Sequence, residues 1–344
     1  MRAIGVCYDT GYINQGTSTH EPFRPEIVRR ELEIIANELR CDAVRITGGH
    51  VDRLKLAASL AAEAGLEVWL CPFVNEITEE QLLELLADCA KHAEALRIRG
   101  AEVVLAVGAE LSLFLLGYVP GATLPERAAR LFGPDGAPIR ERIPQRLNDF
   151  LNRAAELVRS HFGGRVTYAC LPHEQVDWTP FDILATDAGY RSPELASNYR
   201  DQIAAFVAQG AKQGKPVAIT EFGCATYRGA ADRGPRGFDV VEWDADPVRL
   251  DADYERDEAA QAAHLTELLA IFDATGVDTA FWYCFARYDL PHRDAPREDL
   301  DLASPGLMKV LDVAVGRQEP KAAFAALAGI RSGRDSDRVA RSTV

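Results

Sequence analysis

Along the chain, short runs of apolar and β-branched residues alternate with longer segments whose apolar positions recur every three or four residues. That alternation is the signature of repeated βα units feeding a parallel sheet. Eight cycles can be drawn. The strands read Ala3 to Tyr8, Ala43 to Thr47, Glu67 to Pro72, Val103 to Ala109, Arg165 to Leu171, Ile183 to Asp187, Val217 to Glu221 and Thr279 to Phe285. Helices are predicted near Pro25 to Leu39, Val51 to Ala64, Glu79 to Arg99, Pro144 to His161, Ser192 to Gln213, Asp257 to Thr275 and Pro320 to Gly329; the fifth cycle carries only the loop around Asp177 and Trp178. Pro25 stands where an early helical residue should, and Gly65, Gly100, Gly163, Gly214 and Gly276 follow helices where a left-handed cap is wanted. Eight such units predict one (β/α)8 TIM barrel over residues 1–330, with a polar tail at 331–344, rich in Arg, Ser and Asp, expected to be disordered.

Two connections exceed the usual handful of residues. Leu111 to Ile143 follows the fourth strand and Phe222 to Arg256 follows the seventh, so both rise on the face where barrel enzymes keep their chemistry. Each also follows a strand that ends in a glutamate: Glu110 closes Val103 to Ala109, and Glu221 closes the apolar run from Pro216. These long loops are expected to wall a cleft. Positions three strands apart in such a barrel are separated by about 14 Å, and two inward-leaning glutamates would leave about 5 Å between carboxyl groups. That is the spacing of a retaining glycosidase, in which Glu221 attacks the anomeric carbon while Glu110 protonates the leaving oxygen and later deprotonates water.

Composition narrows the partners. A net charge of -14 in 344 residues opposes nucleic acid and anionic membranes at long range. A small-molecule or oligosaccharide glycoside fits better. The amino terminus has no apolar segment ending in a cleavage site, and no apolar stretch reaches membrane-spanning length, so a cytoplasmic address is expected. Seven scattered cysteines without a Cys-x-x-Cys pair read as reduced, packing thiols. No dinucleotide fingerprint, phosphate loop or Gly-x-Ser-x-Gly elbow occurs, and no cofactor is implied.

The run Thr220-Glu221-Phe222-Gly223, with Glu110, Arg45 in Val44-Arg45-Ile46 and Trp282 in Phe281-Trp282-Tyr283, resembles the retaining glycoside hydrolases of clan A. The resemblance implies an acid/base at the end of strand four and a nucleophile at the end of strand seven, oriented by Arg45 and by a tyrosine near the end of strand six, here Tyr190. It implies a substrate role for Trp282. Many clan members carry asparagine before the acid/base to bind the sugar 2-hydroxyl, where this chain has Ala109. The chain is also similar to actinobacterial proteins labelled abortive infection, a label that names no chemistry.

Aromatic faces stack on sugars, and Trp282, Trp178, Tyr190, Tyr227 and Trp243 all fall at strand ends or in the loops that follow. Trp69, inside strand three, reads as core. Asp9 and Asp187 are expected either to bind hydroxyls or to cap loop backbone. The bland reading of Arg45 with Glu221 is an ion pair that braces the barrel. Two rival functions stay open: a metal-dependent barrel hydrolase or isomerase using His50, His173, Asp187, Glu221 and Asp9, for which no His-x-His or His-Glu-x-x-His spacing speaks, and a non-catalytic carbohydrate-binding barrel.

Overall fold

A computed structural model describes residues 1–342. Eight parallel strands close on themselves: β1 (Ala3–Asp9), β2 (Ala43–Gly48), β3 (Glu67–Pro72), β4 (Val103–Ala109), β5 (Arg165–Cys170), β6 (Leu184–Thr186), β7 (Val217–Phe222) and β8 (Thr279–Trp282). Closure is seen at Val6, which pairs with Val44 on one side and Trp282 on the other. The (β/α)8 barrel read from the sequence is the observed fold.

Helices surround it: α1 (Pro25–Asn37), α2 (Val51–Glu63), α3 (Glu79–Ile98), α4 (Leu111–Phe114), α5 (Leu124–Phe132), α6 (Ala137–Arg159), α7 (Pro193–Ala196), α8 (Tyr199–Lys212), α9 (Glu258–Thr275) and α10 (Ala322–Ser342). Thr78 starts α3 with a reciprocal cap, accepting from the Gln81 amide at 3.3 Å while Gln81 accepts from its own amide at 2.9 Å. Pro144, expected to open a helix, lies inside α6, which begins seven residues earlier after Gly136. The segment predicted as one helix from Ser192 is broken into α7 and α8. The backbone of α10 runs on to Ser342, into the segment expected to be a disordered tail, and Arg331 at its head is buried, donating to the Arg40 carbonyl and Asp42. Residues 343–344 of that expectation lie outside the described residues.

The pleat sorts side chains into two cores. Val6, Tyr8, Val44, Ile46, Val68 and Leu70 pack outward against the helices, whereas Ala3, Cys7, Ala43, Trp69, Ala185, Ala218 and Phe281 fill the barrel itself. Trp69 and Phe281 meet edge to face with ring centroids 5.0 Å apart and form a floor. Beneath it Glu67 accepts from Trp69 Nε1 at 2.7 Å and from Arg2 and Arg165, closing the amino-terminal end. Above it the lining residues are small: Cys7, Cys71, Ala106 and Ala169. That leaves room for one long polar side chain.

The two insertions are largely structured rather than open loop. After β4 come α4, α5 and the first turns of α6; after β7 come a 3-10 stretch, Ala230–Phe238, and a small hairpin pairing Val241–Glu242 with Arg249–Leu250. Asp301 ties the second insertion down, pairing with Arg256 at 2.7 Å and with the buried Lys321 at 2.9 Å.

Gly5 faces the filled interior, where an added Cβ would come 2.3 Å from the Ala43 carbonyl oxygen and 2.8 Å from the Phe281 ring. Gly5→Ala should therefore destabilise the barrel by about 1–3 kcal/mol, read as a lower urea midpoint with an unchanged slope.

Candidate active site

The long polar side chain is Arg45, fully buried on β2 and pointing up the axis. Its Nη1 and Nη2 donate to the two oxygens of Asp187 at 3.0 and 3.1 Å, and Nη1 also donates to Glu221 Oε1 at 2.9 Å and to the Thr220 carbonyl at 3.1 Å. Cys71 Sγ lies 3.4 Å from Nη2, so two of the packing thiols, Cys7 and Cys71, line the guanidinium. All seven cysteines are buried and unpaired as disulfides. A cation so enclosed stays charged only because it is met by carboxylates in a forked geometry.

Tyr190 donates its hydroxyl to the other oxygen of Glu221 at 3.4 Å. Glu110 arrives from the opposite side of the mouth. Its backbone is left-handed (φ 47°, ψ 37°) and its amide donates to the Ala169 carbonyl at 3.0 Å. Gly108, two residues earlier, has φ 141°, and a Cβ there would strike the Leu111 side chain at 2.7 Å, so the turn needs glycine. One oxygen each of Glu110, Asp187 and Glu221 lies within 4.8 Å of the others, and Glu110 remains partly exposed to solvent while the other two are buried.

Three carboxyl groups beside one guanidinium cannot all be charged cheaply. Burial, then the charges of Asp187, Glu221 and Glu174, push Glu110 well above the usual carboxylate range. Burial and Asp187 push Glu221 up to about 8 against the pull of Arg45 and the Tyr190 hydroxyl. The arrangement thus holds protons near neutrality. Arg45 braces Asp187 with both nitrogens and Glu221 with one, so its positive charge is divided between the two.

The other expected residues fall elsewhere. Asp9 takes the capping option, accepting from the Gly11 and Tyr12 amides at 2.8 and 3.1 Å and from the Thr19 hydroxyl. Trp282 offers no face to a ligand: inward-facing Phe281 forces its neighbour outward, against Phe222 and the helix layer, with Nε1 donating to the Pro305 carbonyl at 2.9 Å. Trp178 is buried between Phe181 and Phe206, and Tyr227 packs on Tyr254 within the second insertion. Trp243 is exposed on that insertion's hairpin region. Ala109 is sealed among Cys71, Ala106 and Ala169.

Sequence reasoning missed the aromatic residues that do border the carboxylates. Tyr283, half-buried after β8, has its hydroxyl pKa raised by burial and, in part, by the charge of Glu221. Tyr12, from the loop after β1, packs on Phe73 and Phe114, and Glu110 is among the charges that act on it. Also missed were Tyr168 and Glu174. Glu174 is fully buried beneath α4, and burial raises its carboxyl to about 7. The run Leu171-Pro172-His173-Glu174, with proline opening a single turn and an acid two residues on, was the available signal.

For a metal, Glu110, Asp187 and Glu221 form a cluster of suitable spacing among the described residues. Arg45 already donates to Asp187 and Glu221, so an added ion would face a like charge beside it. Of the set proposed from the sequence, His173 is instead 3.0 Å from the Ser112 hydroxyl and Asp9 serves the loop backbone.

No family model and no curated protein matches the chain. Solved structures do. A GH113 β-1,4-mannanase aligns over 96% of this chain and 99% of its own at 17% identity with a TM-score of 0.63. The GH113 β-mannanase AaManA from Alicyclobacillus acidocaldarius aligns over 97% and 98% at 17% identity, with a TM-score of 0.60. A GH5_18 protein from Streptomyces cattleya, solved with Manβ1-4GlcNAc, aligns over 96% of this chain and 80% of its own at 16% identity, with a TM-score of 0.58. At such identities the likeness establishes the barrel. It lends the abortive-infection similarity no support.

Removing the shared cation exposes the cost of the cluster. Arg45→Met should lose about 3–5 kcal/mol at pH 7 in urea unfolding, because Asp187 and Glu221 lose the buried partner they share. In the wild type, Glu221 and Glu174 hold protons in the folded state that the unfolded chain releases near their ordinary value of 4.5. Their stabilisation is complete below that value and is lost as pH rises through about 7 for Glu174 and about 8 for Glu221. The urea midpoint should fall between pH 5 and pH 8, and fall less in Glu174→Gln.

Proposed function

We propose that the chain is a retaining glycoside hydrolase, with Glu221 as nucleophile and Glu110 as acid/base, acting on a small-molecule or oligosaccharide glycoside. The observation that carries this reading is the approach of Glu110 and Glu221 oxygens to within 4.8 Å at the carboxyl ends of β4 and β7. That gap suits direct attack on an anomeric carbon rather than attack by an interposed water. Two of the similar structures are β-mannanases and a third binds a β-mannoside, so an aryl β-mannoside is the first substrate to try.

In the first step a Glu221 oxygen bonds to the anomeric carbon as the bond to the leaving oxygen breaks. The departing electron pair takes the proton from Glu110. In the second, water gives a proton to Glu110 while its oxygen attacks the same carbon and frees Glu221. Arg45 and Tyr190 hold the two Glu221 oxygens, fixing the lone pair used for attack. Tyr190 and Tyr283, rather than Trp282, are the aromatic side chains beside the nucleophile.

The reaction needs Glu221 without its proton and Glu110 with one. Because Glu221 titrates near about 8, kcat/KM should rise with pH toward that value, a limb belonging to the coupled pair. No helix among the described residues is long and apolar enough to cross a membrane. A substrate in the cytoplasm is consistent with the seven free thiols.

A panel of aryl glycosides tests this reading. Wild type should release products with net retention, and Glu221→Ala should abolish turnover. Azide should restore it in that variant with inverted product. Glu110→Ala should lose about 10²–10⁴-fold on poor leaving groups and far less on activated ones. Hydrolysis untouched by either substitution would overturn the mechanism, and loss of activity to a chelator would favour the metal-dependent alternative.

A further inference from the structure

A four-residue helix, α4, starts directly after Glu110, and Glu110 provides no side-chain cap for it. The first amides of a helix must find acceptors. Here they find them in the layer below. The Leu111 amide donates to the Tyr168 hydroxyl at 2.8 Å, the Ser112 amide donates to Glu174 Oε1 at 3.1 Å, and the Tyr168 hydroxyl donates to Glu174 at 2.9 Å. Glu174 Oε2 also accepts from the Leu171 amide at 2.8 Å. Tyr168 and Glu174 are both fully buried. A buried carboxyl and a buried phenol therefore stand in for the missing cap, with the left-handed Glu110 suspended between this anchor and the Ala169 carbonyl.

We propose that Glu174, acting with Tyr168, is the positioning residue of Glu110: it fixes the turn that aims Glu110 across the mouth and sets a negative charge behind it. The inference rests on the reading of Glu110 as the acid/base. The charge has a use. Where Glu221 has lost its proton, near pH 8, Glu174 has lost its own as well, and its charge opposes departure of the proton from Glu110. The groups facing Glu110 are Asp187 and Glu221 from β6 and β7, Arg45 from β2, Tyr12 from the loop after β1, and Glu174 itself. Facing Glu174 are Tyr168 and Cys170 of β5, Ser112 of α4, Tyr118 of the first insertion and Glu110. Asp187 and Glu221 act on Glu110 from the substrate side; Glu174 acts from behind and is not displaced by a ligand.

The protonation of Glu110 can be followed without any turnover, as the infrared carboxylic acid band that disappears in Glu110→Gln. In Glu174→Gln, which keeps one acceptor oxygen where the carboxylate offers two, to the Ser112 and Leu171 amides, and removes the charge, the midpoint of that band should fall by about one pH unit or more. In Tyr168→Phe, which removes a hydrogen bond favouring ionised Glu174, it should fall by less. If the full-length variants hydrolyse glycosides, the loss should appear in kcat with KM little changed, and should be steeper for poor leaving groups. An unmoved Glu110 midpoint in either folded variant would overturn the proposal. Absence of hydrolysis with a shifted midpoint would instead reject the glycosidase reading and leave the positioning role standing.

Discussion

One buried guanidinium governs the upper half of this barrel. Arg45 is enclosed on all sides, and a lone charge in that position would cost several kcal/mol in lost hydration. It is tolerated because Asp187 and Glu221 reach it from β6 and β7 with good geometry. The requirement runs both ways, since among the described residues neither carboxylate forms an ion pair with another cation. The small lining residues Cys7, Cys71, Ala106 and Ala169 follow from it, for larger ones would fill the space the guanidinium and its partners occupy.

The same arrangement makes the site electrostatically crowded. One cation shared among three carboxyl groups leaves an excess of negative charge, which the protein relieves by keeping protons. Glu110 and Glu221 feel this to different degrees. Glu221 is tempered by Arg45 and Tyr190, while among the described residues Glu110 has neither as a hydrogen-bond partner and also feels the charge of Glu174. Two glutamates of identical chemistry are thereby driven toward different protonation, which the proposed roles of acid/base and nucleophile would need.

The barrel was legible in the sequence because each strand is an apolar run punctuated by glycine or a helix start, and the eight non-local pairings follow once eight units are counted. Strand-end residues were legible for the same reason: Glu110, Glu221, Arg45, Asp187 and Tyr190 all meet as the register requires. Trp282 was misread because a strand alternates faces, and only the register reveals that Phe281 takes the inner one. Trp178 and Tyr227 were misread because loop position does not say whether an aromatic ring folds back on its own loop. The run Leu171 to Glu174 marks a short turn ending in an acid but not what that acid caps, because its partners lie on α4 and β5, in other segments of the chain.

The aromatic floor of Trp69 and Phe281, with Glu67 and its arginines beneath, blocks the axis of the barrel. The vessel accordingly has a single door. A molecule that settles above the floor can leave only by the mouth through which it came, so two pieces held there together would have to depart in turn.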